Sequence, residues 1–199
     1  MTSQLASKGQ AVGESDEALL EQLRRGDADA FERLFLRHYP AVYRVVFHLF
    51  GSREEAEDTA QETFLALLHQ PPRSGGQLAG WLCRVALNRG YNALRSQRRA
   101  EARAAQLGAA PEQADTPDPA GELLRAEDRA AVRAALADLP ERQGQLLLLR
   151  YAGLSYAEVA AAAEVAPGSV GTLLARAEAA FLAAYRRRFG REPHDGQNL

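Results

Sequence analysis

Six arginines, Arg73, Arg84, Arg89, Arg95, Arg98 and Arg99, share a window between Thr63 and Ala100 that contains no acidic residue. Trp81, Asn88, Tyr91 and Asn92 are interleaved with them. Guanidinium groups neutralise phosphate, and flat rings stack bases for roughly 1–3 kcal/mol each. The combination suits a single nucleic-acid strand, whereas an ordinary solvated helix face mixes charge signs. Trp81 taken alone reads first as a core aromatic.

Acidic residues gather just before that window, at Glu54, Glu55, Glu57, Asp58 and Glu62. Glu54 and Glu55 suit the positive end of a helix dipole. Asp58, Gln61 and Glu62 fall on one face further along the same helix, where the dipole gives no reason for them, and read as a protein-binding surface. A third pattern lies near the other end. Ser155-Tyr156-Ala157-Glu158 reads as a capping box opening a short helix, a turn follows at Glu164-Val165-Ala166, and Pro167-Gly168 opens a last helix. Two helices joined by a tight turn form a helix-turn-helix pattern.

Other chemistries find little support. The histidines (His38, His48, His69, His194) and Cys83 show no metal-ligand spacing, so no metal or cofactor is expected. No glycine-rich phosphate loop of known pattern and no nucleophile with a matching base stand out, which makes an enzyme the least favoured class. The single cysteine, Cys83, allows no intramolecular disulfide and points to a reducing, cytoplasmic setting. No run of about 18 apolar residues suggests a membrane span. Net charge is -2, so any basic surface must come from uneven distribution. Lys8 is the only lysine, and phosphate contacts would fall to arginine, which can make them bidentately.

The elements that must position these groups are helical. Asp16–Arg25 reads as a short amphipathic helix with Ala18, Leu19 and Leu23 inward, ended by Gly26, and Asp27 can cap the next. That helix carries Phe31, Leu34, Phe35, His38, Tyr39, Val42, Tyr43, Val46 and Phe50 at helical steps, and Pro40 should kink or split it. Ser52 with Glu55 fits a capping box, opening a helix with Ala56, Ala60, Phe64, Leu67 and Leu68 inward. Residues 70–76 read as a loop, and a fourth helix begins near Leu78. Later, Val132, Leu136 and Leu139 form an apolar stripe ending at Pro140, and Leu146 to Leu149 mark the most buried helix. The resulting expectation is an all-α chain of two small helical domains. A disordered tail spans 1–15, the first domain 16–100, an acidic flexible linker 101–127, the helix-turn-helix domain 128–189, and a tail 190–199.

Ala56-Glu57-Asp58-Thr59-Ala60-Gln61-Glu62-Thr63-Phe64 resembles the Asp-x-x-Gln-Glu-Thr-Phe signature in the second region of extracytoplasmic-function sigma factors. Trp81 to Asn88, continuing to Arg95, Arg98 and Arg99, resembles the helix that follows it in that family. Leu139-Pro140-Glu141-Arg142, Leu154 to Ala160 and Pro167 to Val170 resemble its fourth region. Helix-turn-helix alone is generic, but the three pieces in this order are specific.

The resemblance implies a subunit that binds core RNA polymerase, β′ clamp and β included, and directs promoter recognition and transcription initiation. It implies that Asp58, Gln61 and Glu62 face the β′ clamp. Around residues 71–77 and 81–92 it implies melting of the minus-ten element, with Arg73, Trp81, Arg84, Asn88, Arg89, Asn92, Arg95, Arg98 and Arg99 against DNA. Base extrusion costs a few kcal/mol, recovered by a pocket that stacks and hydrogen-bonds the base. It implies that Ser169, Thr172 and Arg176 meet the minus-thirty-five duplex. Both duplex and single-stranded promoter DNA are implied partners, an anti-sigma protein is a further one, and a membrane is not. The linker would run toward the RNA exit path, where its acidity could imitate RNA.

Two departures stand out. Many family members carry aspartate where Asn92 stands, and basic residues where Gly171, Leu173 and Glu178 stand. Each lost phosphate contact lowers the salt slope of binding by about 0.9, so upstream recognition is expected to be weak and salt-tolerant. Arg186, Arg187, Arg188 and Arg191 read equally as phosphate contacts and as a basic helix end. The competing reading is a stand-alone helix-turn-helix regulator that binds duplex DNA without polymerase.

Overall fold

The computed structural model describes residues 14–73, 75–106 and 123–190, with the side chains of 123–126 left aside. Eight α-helices appear among them: α1 (Asp16–Arg24), α2 (Ala28–Phe50), α3 (Arg53–His69), α4 (Leu78–Gln106), α5 (Leu123–Ala137), α6 (Glu141–Tyr151), α7 (Tyr156–Ala163) and α8 (Val170–Phe189). A 3-10 turn, Pro167–Ser169, precedes α8. The fold is all-α. The tail before residue 14, the middle of the expected linker (107–122) and the tail after 190, with Arg191, lie outside the described residues.

The helix starts follow from capping chemistry. The Asp27 carboxylate accepts from the Asp29 and Ala30 amides, giving α2 its first turn. Ser52 accepts from Glu55 N–H at the head of α3, one half of the expected box. At α7 the box closes in both directions: Ser155 accepts from Glu158 N–H at 3.3 Å and Glu158 accepts from Ser155 N–H at 2.7 Å. Gly51 ends α2 at φ 73°, a left-handed turn that glycine adopts without steric cost.

Pro40 does not split α2, which runs unbroken through it. Leu36 and Pro40 are both exposed, so the carbonyl that loses its helical donor sits on the solvent side, where water can replace it. Leu20, not singled out by the periodicity, is fully buried beside Leu19. Leu68 departs from expectation in the opposite sense and is 43% exposed. The rings of Phe31, Phe35, Tyr39, Tyr43 and Phe47 follow one another at four-residue steps along α2, with centroids 4.9–6.2 Å apart.

In the first half, α2 packs against α1, α3 and α4. In the second, α8 packs against α5 and α6, and α7 against α6. The two halves also touch each other, α4 against α7 and α2 against α5 and α6, so the buried side chains form one continuous core. Both ends of the expected linker are helical: α4 continues to Gln106 and α5 begins at Leu123.

Candidate nucleic-acid interface

Helix α4 is two-sided. Leu78, Leu82, Cys83, Ala86, Leu87 and Gly90 are buried on one side. The other side presents Arg84, Asn88, Arg89, Asn92, Arg95, Arg98 and Arg99, exposed or half-exposed. Trp81 is half-buried and packs against the core. Tyr91 is similarly half-buried, and burial raises its phenol far above the ordinary value. The loop ahead of α4 is anchored on α1: Gly75 N–H donates to Glu17 at 2.6 Å, and Arg24 donates to the Pro72 carbonyl. These two anchors escaped the sequence reading, because nothing in local spacing links residue 17 or 24 to a loop so far along the chain.

Three of the α4 arginines are paired. Arg84 meets Glu164, Arg89 meets Glu62 at 2.7 Å, and Arg95 meets Glu141 at 2.6 Å while also donating to the Asn92 side-chain Oδ1 at 2.7 Å. Arg73, Arg98 and Arg99 are exposed and make no ion pair among the described residues. Glu141 and Glu164 belong to the C-terminal half, so carboxylates from one half meet the arginine face of the other.

On α3, Asp58, Gln61 and Glu62 are all exposed on one face, as expected. Leu65, 52% exposed, and Leu68 continue that face toward His69. A stripe that runs from carboxylate through amide to exposed leucine suits a protein partner better than solvent. A shallow pocket between Glu62, Leu65, Ala66, His69, Gln70 and Arg89 joins this stripe to the arginine side of α4.

At the other end, Ser169, Thr172 and Arg176 are exposed around the start of α8, and the Ser169 hydroxyl makes no capping bond. Val170, Leu174 and Ala177 hold the helix to the core from the opposite side. Glu178 is exposed nearby, and Arg150 lies 5.8 Å over the Tyr156 ring. Arg188 pairs with Asp138 at 3.2 Å and Arg187 approaches the same carboxylate at 3.9 Å, which ties these two to the turn just after α5. Among the described residues no His/Cys/Asp/Glu group is arranged to hold a metal ion, and no helix is long and apolar enough to cross a membrane.

Known families account for this arrangement. The profile for Sigma-70 region 2 matches residues 34–100, and that for Sigma-70, region 4 matches residues 129–181. RNA polymerase sigma factor CarQ of Myxococcus xanthus is 32% identical over 75% of this chain and 86% of its own length. The RNA polymerase sigma-H factor of Pseudomonas aeruginosa is 30% identical over 84% and 92%. Among solved structures, CnrH in complex with the cytosolic domain of CnrY superposes with a TM-score of 0.63 at 21% identity, covering 85% of this chain and 96% of that one. RpoE of Bartonella quintana, solved with the anti-sigma factor NepR, gives 0.57 at 23% identity, covering 82% and 100%. At those identities the two structures establish the fold alone.

The two matched regions and these relatives therefore define a sigma-70-type transcription initiation factor. Within that class the chain belongs to the extracytoplasmic-function (ECF) RNA polymerase sigma factors, as does the ECF RNA polymerase sigma-E factor of Haemophilus influenzae, 30% identical over 81% of this chain and 89% of its own length. The stand-alone regulator is not favoured, since both sigma regions are present in one chain.

Proposed function

We propose a division of labour within that sigma factor, acting in the cytoplasm as a non-enzymatic subunit. The domain of residues 16–100 docks on the β′ clamp of core polymerase through Asp58, Gln61 and Glu62, with Leu65 and Leu68 extending the contact. The α4 face then takes the minus-ten strand: Arg73, Arg84, Arg89, Arg95, Arg98 and Arg99 follow phosphates, while Trp81, Asn88 and Asn92 line the place where a base leaves the stack. The domain of residues 128–189 reads the minus-thirty-five duplex through Ser169, Thr172 and Arg176, and residues 101–127 link the two. One observation carries this reading: the arginine face of α4, whose own residues from Leu78 to Ala100 include no acid and whose Arg98 and Arg99 are exposed, stands beside an exposed acidic and apolar stripe on α3, each of the chemistry its partner requires.

The start of α8 offers one arginine and an adjacent Glu178, so upstream binding is weak and changes little with salt. An anti-sigma protein is the further partner, supported by the RpoE–NepR complex among the similar structures.

The test is reconstitution with bacterial core polymerase. Replacing Gln61 and Glu62 with alanine is expected to abolish association while the circular dichroism spectrum stays helical. Replacing Arg98 and Arg99 with alanine is expected to leave association intact and to reduce permanganate-reactive unpaired thymines at the promoter. Wild-type protein that fails to bind core polymerase would overturn the reading.

A further inference from the structure

Two hydrogen bonds tie the loop ahead of α4 to α1. The Gly75 amide donates to the Glu17 carboxylate at 2.6 Å, and the Arg24 guanidinium donates to the Pro72 carbonyl. The contact reaches the backbone itself. A Cβ on Gly75 would stand 2.7 Å from both the Cα and the N of Glu17, so no side chain fits there while the loop lies on α1. The Gly75 carbonyl meanwhile accepts the amide of Leu78, the first residue of α4, at 3.2 Å. One residue thus joins α1 to the start of the helix that carries Trp81. Exposed Arg73 stands between the two anchor points, and the rings of Pro71 and Pro72 restrict the backbone that leads to it.

Helix α1 is itself fixed. Leu19 and Leu20 are fully buried, and the Asp16 carboxylate lies 2.6 Å from Arg37 and 2.8 Å from His38, both on α2. The loop therefore takes its place from α2 by way of α1. This support comes from outside the stretch 34–100 that matches Sigma-70 region 2, because α1 precedes it.

A pocket for an extruded base returns only what remains after the pocket has been ordered. A loop held in advance keeps that ordering cost off the DNA. It also discriminates, because it cannot reshape around a wrong base at no cost. We propose that α1 is a positioning element for minus-ten recognition: Glu17 and Arg24 hold the loop at Gly75 and Pro72 in the form that receives the extruded base. Both side chains act through the loop and leave the DNA contacts to Arg73 and α4. This rests on the reading of residues 71–77 and α4 as the minus-ten site.

The test uses holoenzyme made from the full chain and bacterial core polymerase. It selects from a pool of fork-junction DNA whose non-template bases are randomised across the minus-ten window. Sequencing of the bound strands gives the preference for the favoured base at each position. Glu17→Ala, Arg24→Ala and Gly75→Ala should each lower the preference at the most selective position about two- to tenfold, the span of one net hydrogen bond, with association to core polymerase unchanged. Glu17→Gln keeps a carbonyl oxygen for the Gly75 amide and should keep the wild-type preference. Ser15→Ala removes the N-cap of α1, where Ser15 accepts from the Ala18 amide, without touching the loop, and should also leave the preference intact. Wild-type preference in all three anchor variants overturns the proposal. So does a loss in Ser15→Ala equal to theirs, which would assign the effect to the stability of α1 rather than to its anchors. A wild-type holoenzyme that selects no base in the window would overturn the minus-ten reading itself, and the role of α1 with it.

Discussion

Arg44 on α2 donates a hydrogen bond at 2.9 Å to the carbonyl of Ala152, the residue that ends α6 in the other half of the molecule. The last carbonyls of a helix lack intrahelical donors, and a cation there also meets the negative end of the helix dipole. Arg44→Ala is expected to lower the stability of the full chain by about 1 kcal/mol, the usual worth of one such bond. Urea unfolding followed by circular dichroism measures it, and an unchanged midpoint would mean that water serves the carbonyl equally well.

His48 gives the fold an acid sensitivity. Burial holds its pKa below the ordinary 6.5, and the charges of Arg44 on the same helix and Arg133 on α5 lower it further. The unfolded chain therefore takes the proton more readily than the folded one. Stability is fully present above pH 6.5 and falls as pH drops from there through the folded-state value. His48→Gln should remove this part of the pH dependence, seen as a smaller loss of urea midpoint between neutral and mildly acidic buffer. An equal loss in both proteins would assign the effect to other groups.

Ser155→Ala removes one arm of the α7 capping box and should cost about 1 kcal/mol. Ser155→Asp supplies another acceptor for the Glu158 amide and should recover most of it. Thermal melts of the three proteins decide the matter, and a silent alanine variant would show that packing against α4 alone holds the start of α7.

Cys83 is fully buried on α4, and burial, with a smaller contribution from the Glu158 charge, pushes its thiol up to about 12. The thiolate is the reacting species, so the folded protein should be inert to a thiol reagent at pH 8 and react fully once urea is added. Stoichiometric labelling under native conditions would contradict the burial.

Much of this architecture can be read along the chain. Asp27, Ser52 and Ser155 announce helix starts by local chemistry, and each accepts the backbone amide its position suggests. The buried side of α4 and its arginine side follow from a 3.6-residue period. Periodicity shows that a face is apolar without showing what covers it. Leu67 and Leu68 are neighbours on the rim of one stripe, and only packing puts Leu67 inside and Leu68 out. Composition likewise placed a flexible linker at 101–127, although the helix propensity of Glu101 to Gln106 carries α4 beyond residue 100. The seam was the least legible feature. Arg84 meets Glu164 and Arg95 meets Glu141 through tertiary contact alone, and Gly80 and Gly144 give no sign in sequence of the helices they admit.

Glu164 stands in a left-handed backbone conformation at φ 54°, where glycine would be more comfortable. Glycine there would relax the turn and at the same time remove the group that holds Arg84. Heat tolerance and compactness would then move in opposite directions in a single mutant. Directed evolution that rewards thermal survival alone would carry this chain toward a looser contact between α4 and the turn after α7, trading restraint for robustness.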